Sequence, residues 1–252
     1  MNNGSRKPVL WHIPVSHYNE KVRWALALKG VEHVRRAPPP PAHMAVALAL
    51  TRGREKTFPV LTLDGRHIAD STAIIAALEE RYPDPPLYPA DPAERARALE
   101  LEDFFDEELA PAIRQLAWHE LTRDPERFHS FAAETLGGPL ARFQGVVGRG
   151  AALFLRLRFR SHDDELATQS RAKIATAMDR LESELDGGEY LVGDSFTVAD
   201  LTAASLFYPL VLPPEAPRQL NDPTPAWNAI REPYMGRPGY RWVEQTFARH
   251  RR

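Results

Sequence analysis

Pro59 to Arg81 reads PVLTLDGRHIADSTAIIAALEER. Pro59–Leu63 is a short extended apolar run, Arg66–Ala69 is a second extended run, and Asp64-Gly65 lies between them. Asp-Gly between two such runs is a strong hairpin signal, because both turn positions need a positive φ. Ser71 to Arg81 then places Ile74, Ile75 and Leu78 on one helical stripe, with Ser71 as a good N-cap. The spacing predicts a hairpin that runs straight into an amphipathic helix.

The segments upstream complete the pattern. Pro8–Ile13 (PVLWHI) reads as a buried strand. Asn19–Lys29 carries Val22, Ala25, Leu26 and Lys29 at helical spacing, with Gly30 as a natural stop. Val31–Arg36 alternates weakly, as a second strand would. Pro38–Pro41 is a polyproline stop before a short helix over Met44–Leu50. The order β-α-β-(α)-β-β-α is a thioredoxin-like α/β pattern.

Downstream, Tyr82–Pro92 (YPDPPLYPADP) is too proline-rich to fold back on itself and reads as an extended linker. Beyond it the pattern is helical. Ala93 to about Leu121 reads as one long helix, with Leu99, Leu101, Phe104, Phe105, Leu109, Ile113 and Leu116 facing inward and Pro111 kinking or breaking it. Helices are also expected over Pro125–Leu136, Pro139–Arg160, His162–Leu185, Thr197–Leu206 and Arg237–Arg249. Phe154–Arg160 (FLRLRFR) alternates apolar and basic residues and reads equally as an edge strand, a helix or an anionic subsite. The division expected is residues 1–82, a linker over 83–92, and an all-helical bundle over 93–252.

Composition removes several classes. The 252 residues contain no cysteine, which excludes disulfides, Cys-ligated metal and a cysteine nucleophile. A net charge of −2 argues against a general nucleic-acid binder. Residues 1–88 are mildly basic and 89–252 mildly acidic, a weak pull toward an anionic ligand in the first part. No run reaches membrane-spanning length. Met1–Lys7 is polar and leads into no secretory core, so a cytoplasmic location is expected. The nine histidines show no H-x-x-x-H or H-E-x-x-H spacing, and no metal is expected.

Three motifs carry a resemblance. They are Ser16-His17-Tyr18-Asn19-Glu20-Lys21-Val22-Arg23-Trp24-Ala25-Leu26, then Phe58-Pro59-Val60-Leu61, then Asp70-Ser71. In this order, followed by a proline linker and a helical half, they resemble the cytosolic glutathione S-transferase superfamily, of bacterial type with a Ser-type active site. The resemblance covers nearly the whole chain. It implies an α/β thioredoxin-like N-terminal domain plus an all-α C-terminal helical bundle, a homodimer, and glutathione as co-substrate.

It also implies roles. Ser16 would stand at the start of the first helix, where free N–H groups and the macrodipole favour an anion. Its hydroxyl would donate to the glutathione thiolate. Lowering a thiol pKa from about 8.5 to about 6.5 takes roughly 2.7 kcal/mol, within reach of a charge-assisted hydrogen bond plus the helix field. Tyr18 competes for this role, since tyrosine activates the thiol in several classes. Asn19 stands where the second residue of a C-x-x-C frame would and offers a further amide donor. His17 reads as an exposed loop residue.

Pro59 matches the superfamily's cis-proline, with Phe58 before it and Val60 after it. Val60 is expected to pair through its backbone with the cysteinyl part of glutathione. Ser71 and the helix N-terminus would take the α-carboxylate of the γ-glutamyl end, and Asp70 its ammonium. Lys56, with Arg54, is placed to meet the glycyl carboxylate. A small hydrophobic electrophile would bind among Trp11, Pro14, Val15, Arg114, Trp118 and His119. Phe196-Thr197-Val198-Ala199-Asp200-Leu201 reads as a capping box and staple, a structural device. Glutathione-dependent isomerase, dehalogenase or peroxidase work fits the same scaffold, and so does a non-catalytic binding module.

Overall fold

The computed structural model describes residues 7–39, 42–136, 144–217 and 223–251, the side chains of 133–136 and 144–149 excepted. The first part contains β1 (Val9–Trp11), α1 (His17–Leu28), β2 (Val34–Arg36), α2 (Ala42–Thr51), β3 (Val60–Leu63), β4 (Arg66–Ala69) and α3 (Ser71–Arg81). The sheet order is β2-β1-β3-β4, with β1 and β2 parallel and the other pairs antiparallel. The hairpin stands where Asp64-Gly65 predicts it, with φ of 47° and 79° at those residues.

Side-chain alternation splits the sheet between two layers. Leu10, Leu61 and Leu63 face α1 and α3, where they meet Val22, Ala25, Leu26, Ile74, Ile75 and Leu78. Val60 and Trp11 face the other way, toward Ala47, Val46 and Leu50 of α2. Gly30 ends α1 at a φ of 61°, a conformation in which a side chain would be strained.

The linker is pinned rather than free. Lys29 Nζ reaches the Glu79 carboxylate at 2.6 Å and the carbonyls of Tyr82 and Pro85 at 2.7 and 2.9 Å. Glu79 in turn accepts from the Leu87 N–H, and Leu87 O accepts from Val198 N–H. The Phe58-Pro59 and Asp84-Pro85 bonds are cis.

The second part is helical: α4 (Pro92–Phe104), α5 (Ala110–Arg123), α6 (Pro125–Leu136), α7 (Gln144–Phe159), α8 (Asp164–Leu185), α9 (Val198–Val211), α10 (Pro225–Arg231) and α11 (Pro238–His250). Residues 137–143, which include the first five of the helix expected from Pro139, lie outside the described residues. The first long run is interrupted just before Pro111, which stands in the first turn of α5. A π-helical turn over Phe105–Leu109 joins α4 to α5, and the Ala110 N–H bonds back to Phe105 O. Widening the helix by one residue absorbs the proline, which has no N–H to offer.

Helix α9 runs five residues beyond the expected Leu206 and every residue of it is buried. It packs on α1, α4 and α11. Its capping box is present: Thr197 Oγ1 accepts from Ala199 N–H, and Asp200 accepts from Thr197 N–H. Phe196 packs against the core cluster that contains Leu201 and also meets two further rings. Its ring lies 5.9 Å from Trp24 and 4.5 Å from His250, so it seals α1 against α11.

Candidate active site

The turn between β1 and α1 is clamped from behind. Arg23, itself buried, donates from Nη1 to Ile13 O at 3.4 Å and from Nη2 to Pro14 O at 3.0 Å. Its Nε meets Glu20 Oε2 at 2.7 Å, and Glu20 Oε1 takes Arg251 at 2.6 Å. Tyr208 of α9 donates to Val15 O at 2.6 Å. Three successive carbonyls are thus fixed by side chains from α1 and α9. Pro14 and Val15 are half-buried and give their carbonyls to this clamp.

Ser16 follows at once, as the N-cap residue of α1. It is half-buried, and its hydroxyl makes no cap bond and meets no other described residue. An N-cap serine that does not cap leaves its donor free beside the positive end of the helix.

Its neighbours are spent elsewhere. Tyr18 was a rival candidate, but its hydroxyl donates to Asp106 O at 2.8 Å. Burial also pushes the Tyr18 phenol well above its usual range. Asn19 is fully buried; Oδ1 accepts from Ile13 N–H and Nδ2 donates to Phe58 O, both at 3.2 Å. It fastens the β1–α1 turn to the cis-proline loop. His17, expected as an exposed loop residue, is buried at the first position of α1. Burial and the nearby Arg114 guanidinium pull it down to about 3, so its ring is neutral, and Nε2 has no partner.

The cis-proline loop corrects another expectation. Val60 is fully buried and paired on both sides, with Trp11 of β1 and Ala69 of β4. A residue inside the sheet offers no edge to a ligand. Phe58, before the cis bond, keeps an N–H that no described residue engages.

At α3 the N-cap is Asp70, not Ser71. Asp70 Oδ1 accepts from Ala73 N–H at 3.0 Å, and its φ is 75°. Ser71 becomes the first helical residue, buried, with its own N–H and that of Thr72 open at the helix start. Asp70 is exposed and keeps its second oxygen free of described partners. Lys56 is exposed, and Arg54 turns its Nε back to Thr51 O.

Beneath these groups lies a cluster that sequence reading missed. Lys21 Nζ, with no exposed side-chain surface, meets Glu102 at 2.8 Å and Asp106 at 2.6 Å. Thr72 Oγ1 joins the same carboxylates. Burial raises Glu102, opposed by Lys21. The cluster locks α1 and α3 to α4 and the π-helical turn. No spacing rule connects residues so far apart in sequence.

The proposed electrophile residues divide. Arg114 lies 5.7 Å from the Tyr18 ring and 5.2 Å from the Phe159 ring. Trp118 stacks on Phe159 at 6.3 Å and meets Phe131 edge-on. Tyr18, Arg114, Trp118 and Phe159 therefore form one wall. Trp11 sits under α2, with Nε1 donating to Thr62 Oγ1 and Arg36 over its ring. His119 is buried and turned to Asp164 at 2.9 Å, in a cluster with Arg123. Neither belongs to the wall. Phe154–Phe159 forms the last turns of α7, not a strand, and Arg160 follows the helix at a φ of 49°.

Among the described residues no cluster of His, Cys, Asp and Glu is arranged to hold a metal, and no helix is long and apolar enough to cross a membrane.

Comparison with known proteins agrees with the fold. Residues 10–86 match the N-terminal domain of glutathione S-transferases, and residues 136–232 match their C-terminal domain. A probable maleylacetoacetate isomerase of Caenorhabditis elegans is 29% identical over 204 residues, 81% of this chain and 79% of that one. A probable glutathione S-transferase of Nicotiana tabacum is 30% identical over 103 residues, 41% of this chain and 44% of that one. Among solved structures, glutathione transferase GSTFuA3 of Phanerochaete chrysosporium superposes with a TM-score of 0.65 at 20% identity, over 97% of each chain. The beta-etherase LigF of Sphingobium gives 0.62 at 20% identity, over 95% of this chain and 99% of that one. With both domain families matched in order and the sheet, linker and helical half in place, the chain belongs to the glutathione S-transferase family.

Proposed function

We propose that this chain is a glutathione transferase in which Ser16 holds the glutathione thiolate for attack on a small electrophile. One observation carries the reading. Among the described residues Ser16 has no hydrogen-bond partner for its hydroxyl at the start of α1, while the Tyr18 hydroxyl and both ends of the Asn19 amide are consumed within the protein. The Phe58 N–H is placed to receive the cysteinyl carbonyl. The open N–H groups of Ser71 and Thr72 suit the γ-glutamyl carboxylate, and the spare Asp70 oxygen suits its ammonium. Lys56 is the candidate for the glycyl carboxylate. The division at 83–92, a homodimer and a cytoplasmic location complete the proposal.

Isomerase chemistry is the second reading, favoured by the C. elegans match along four-fifths of this chain. Both reactions begin from the same thiolate. Calorimetry with glutathione, followed by conjugation of an activated chloroarene, tests the proposal. Loss of one charge-assisted hydrogen bond in Ser16→Ala should lower kcat/KM by about 10- to 100-fold with binding largely kept. Unchanged turnover in Ser16→Ala, or no glutathione binding by the wild type, would remove the reading and leave a binding module.

A further inference from the structure

Phe159 carries two cations. The Arg114 guanidinium lies 5.2 Å from its ring centroid and the Arg158 guanidinium 5.1 Å. Neither arginine has a carboxylate or carbonyl partner among the described residues; for exposed Arg158 that is ordinary, but Arg114 is partly buried, and buried Arg23 and Arg231 spend their donors on carboxylate or carbonyl oxygens. Arg114 is half-buried, and burial together with Arg158 pulls it below its usual range. Like charges gathered on one ring, one of them partly withdrawn from water, repel each other with no carboxylate against them among the described residues. His17 adds a buried ring nitrogen without a partner on the same side, beside Ser16. Aromatic faces supply some attraction to each guanidinium, but not a counter-charge.

We propose that Arg114 and Arg158 form an anion subsite that binds a carboxylate on the second substrate, selecting electrophiles that pair an apolar body with an acid group. The apolar body lies along Trp118 and Phe159, and the carboxylate meets the guanidiniums gathered at the Phe159 ring. Arg114 supplies the planar, two-pronged contact that carboxylates favour. Arg158, exposed on α7, adds a weaker, screened attraction. This reading rests on the transferase proposal for the identity of the pocket, but the binding itself does not require glutathione.

The test is calorimetric binding of cinnamate and its neutral analogue cinnamamide to the full chain without thiol. The wild type should bind cinnamate about 10-fold or more tightly than cinnamamide. Arg114→Gln should bring the two within about threefold, Arg114→Lys should fall between, and Arg158→Gln should cost about two- to fivefold. Circular dichroism checks folding, and Arg158→Gln keeps the test open if Arg114→Gln does not fold. Equal binding of acid and amide, no binding of cinnamate, or discrimination that survives both glutamine variants would overturn the proposal. Ser16→Ala should retain the discrimination. If transfer fails in every assay while cinnamate is still selected, the transferase reading falls and the subsite stands.

Discussion

Arg23 and Arg114 both border the first turn of α1, and they are in opposite states. Arg23 is buried and spends its donors on Glu20, the Ile13 and Pro14 carbonyls and the His12 ring. Arg114 lies over the Tyr18 and Phe159 rings and has no carboxylate or carbonyl partner among the described residues. The first is part of the scaffold, and removing it strands a carboxylate and two carbonyls. The second has nothing to strand. A buried cation's partners thus tell whether it holds the protein together or is left open to something else. The same distinction separates Ser16 from Tyr18 and Asn19 two and three residues later.

Stability measurements sharpen this contrast. Arg23→Leu leaves Glu20, which has no exposed side-chain surface, with only Arg251. Breaking such a buried pair should cost about 3–5 kcal/mol in denaturant unfolding. Arg114→Leu should change stability by about 1 kcal/mol or less, in either direction. Similar losses in the two variants would break the contrast.

Acid is the next lever. His17 is held near 3 in the folded protein, against its ordinary 6.5. As pH falls below 6.5, the unfolded chain takes up a proton that the folded chain refuses. The stability is therefore whole above pH 6.5 and is lost toward pH 3. At pH 4 the loss is on the order of 3 kcal/mol. Asp200, which burial pushes up to about 6, gains its proton first in the folded state and opposes the trend below that pH. Unfolding curves for His17→Gln isolate the histidine: they should flatten between pH 6.5 and 4, and an unchanged slope would show that this ring is not what titrates.

The smallest effect belongs to the start of α3. Asp70→Ala removes the cap on Ala73 N–H and should cost about 1 kcal/mol. Asp70→Gly should cost less, because glycine accepts the φ of 75° that strains other residues. A larger loss for glycine than for alanine in thermal unfolding would show that the turn is not strained.

Much of this was legible in the sequence where the determinants are local. Asp64-Gly65 fixed the hairpin, the Thr197–Asp200 pair its helix start, and the prolines of 82–92 the linker. Local signals failed by one residue at Asp70-Ser71, because both residues cap well and only the backbone decides. Pro111 was legible as a disturbance but not as a π-helical turn, which is one of several ways to absorb it. The site's assignments were harder. Tyr18 meets Asp106 and Asn19 meets Phe58 across 88 and 39 residues, and those contacts are what occupy the hydroxyl and the amide. Phe154–Arg160 showed its alternation, but the ring that gathers Arg114 and Arg158 emerges only once α5 and α7 pack.

The central claim is that Ser16, and not Tyr18, lowers the thiol's pKa. Ultraviolet titration of the thiolate in the glutathione complex measures it directly. In the wild type the bound thiol should titrate about one to two pH units below its ordinary value near 8.5, Ser16→Ala should return it toward that value, and Tyr18→Phe should leave it where the wild type has it. A Ser16→Ala complex that titrates like the wild type, or a rise confined to Tyr18→Phe, would contradict the account.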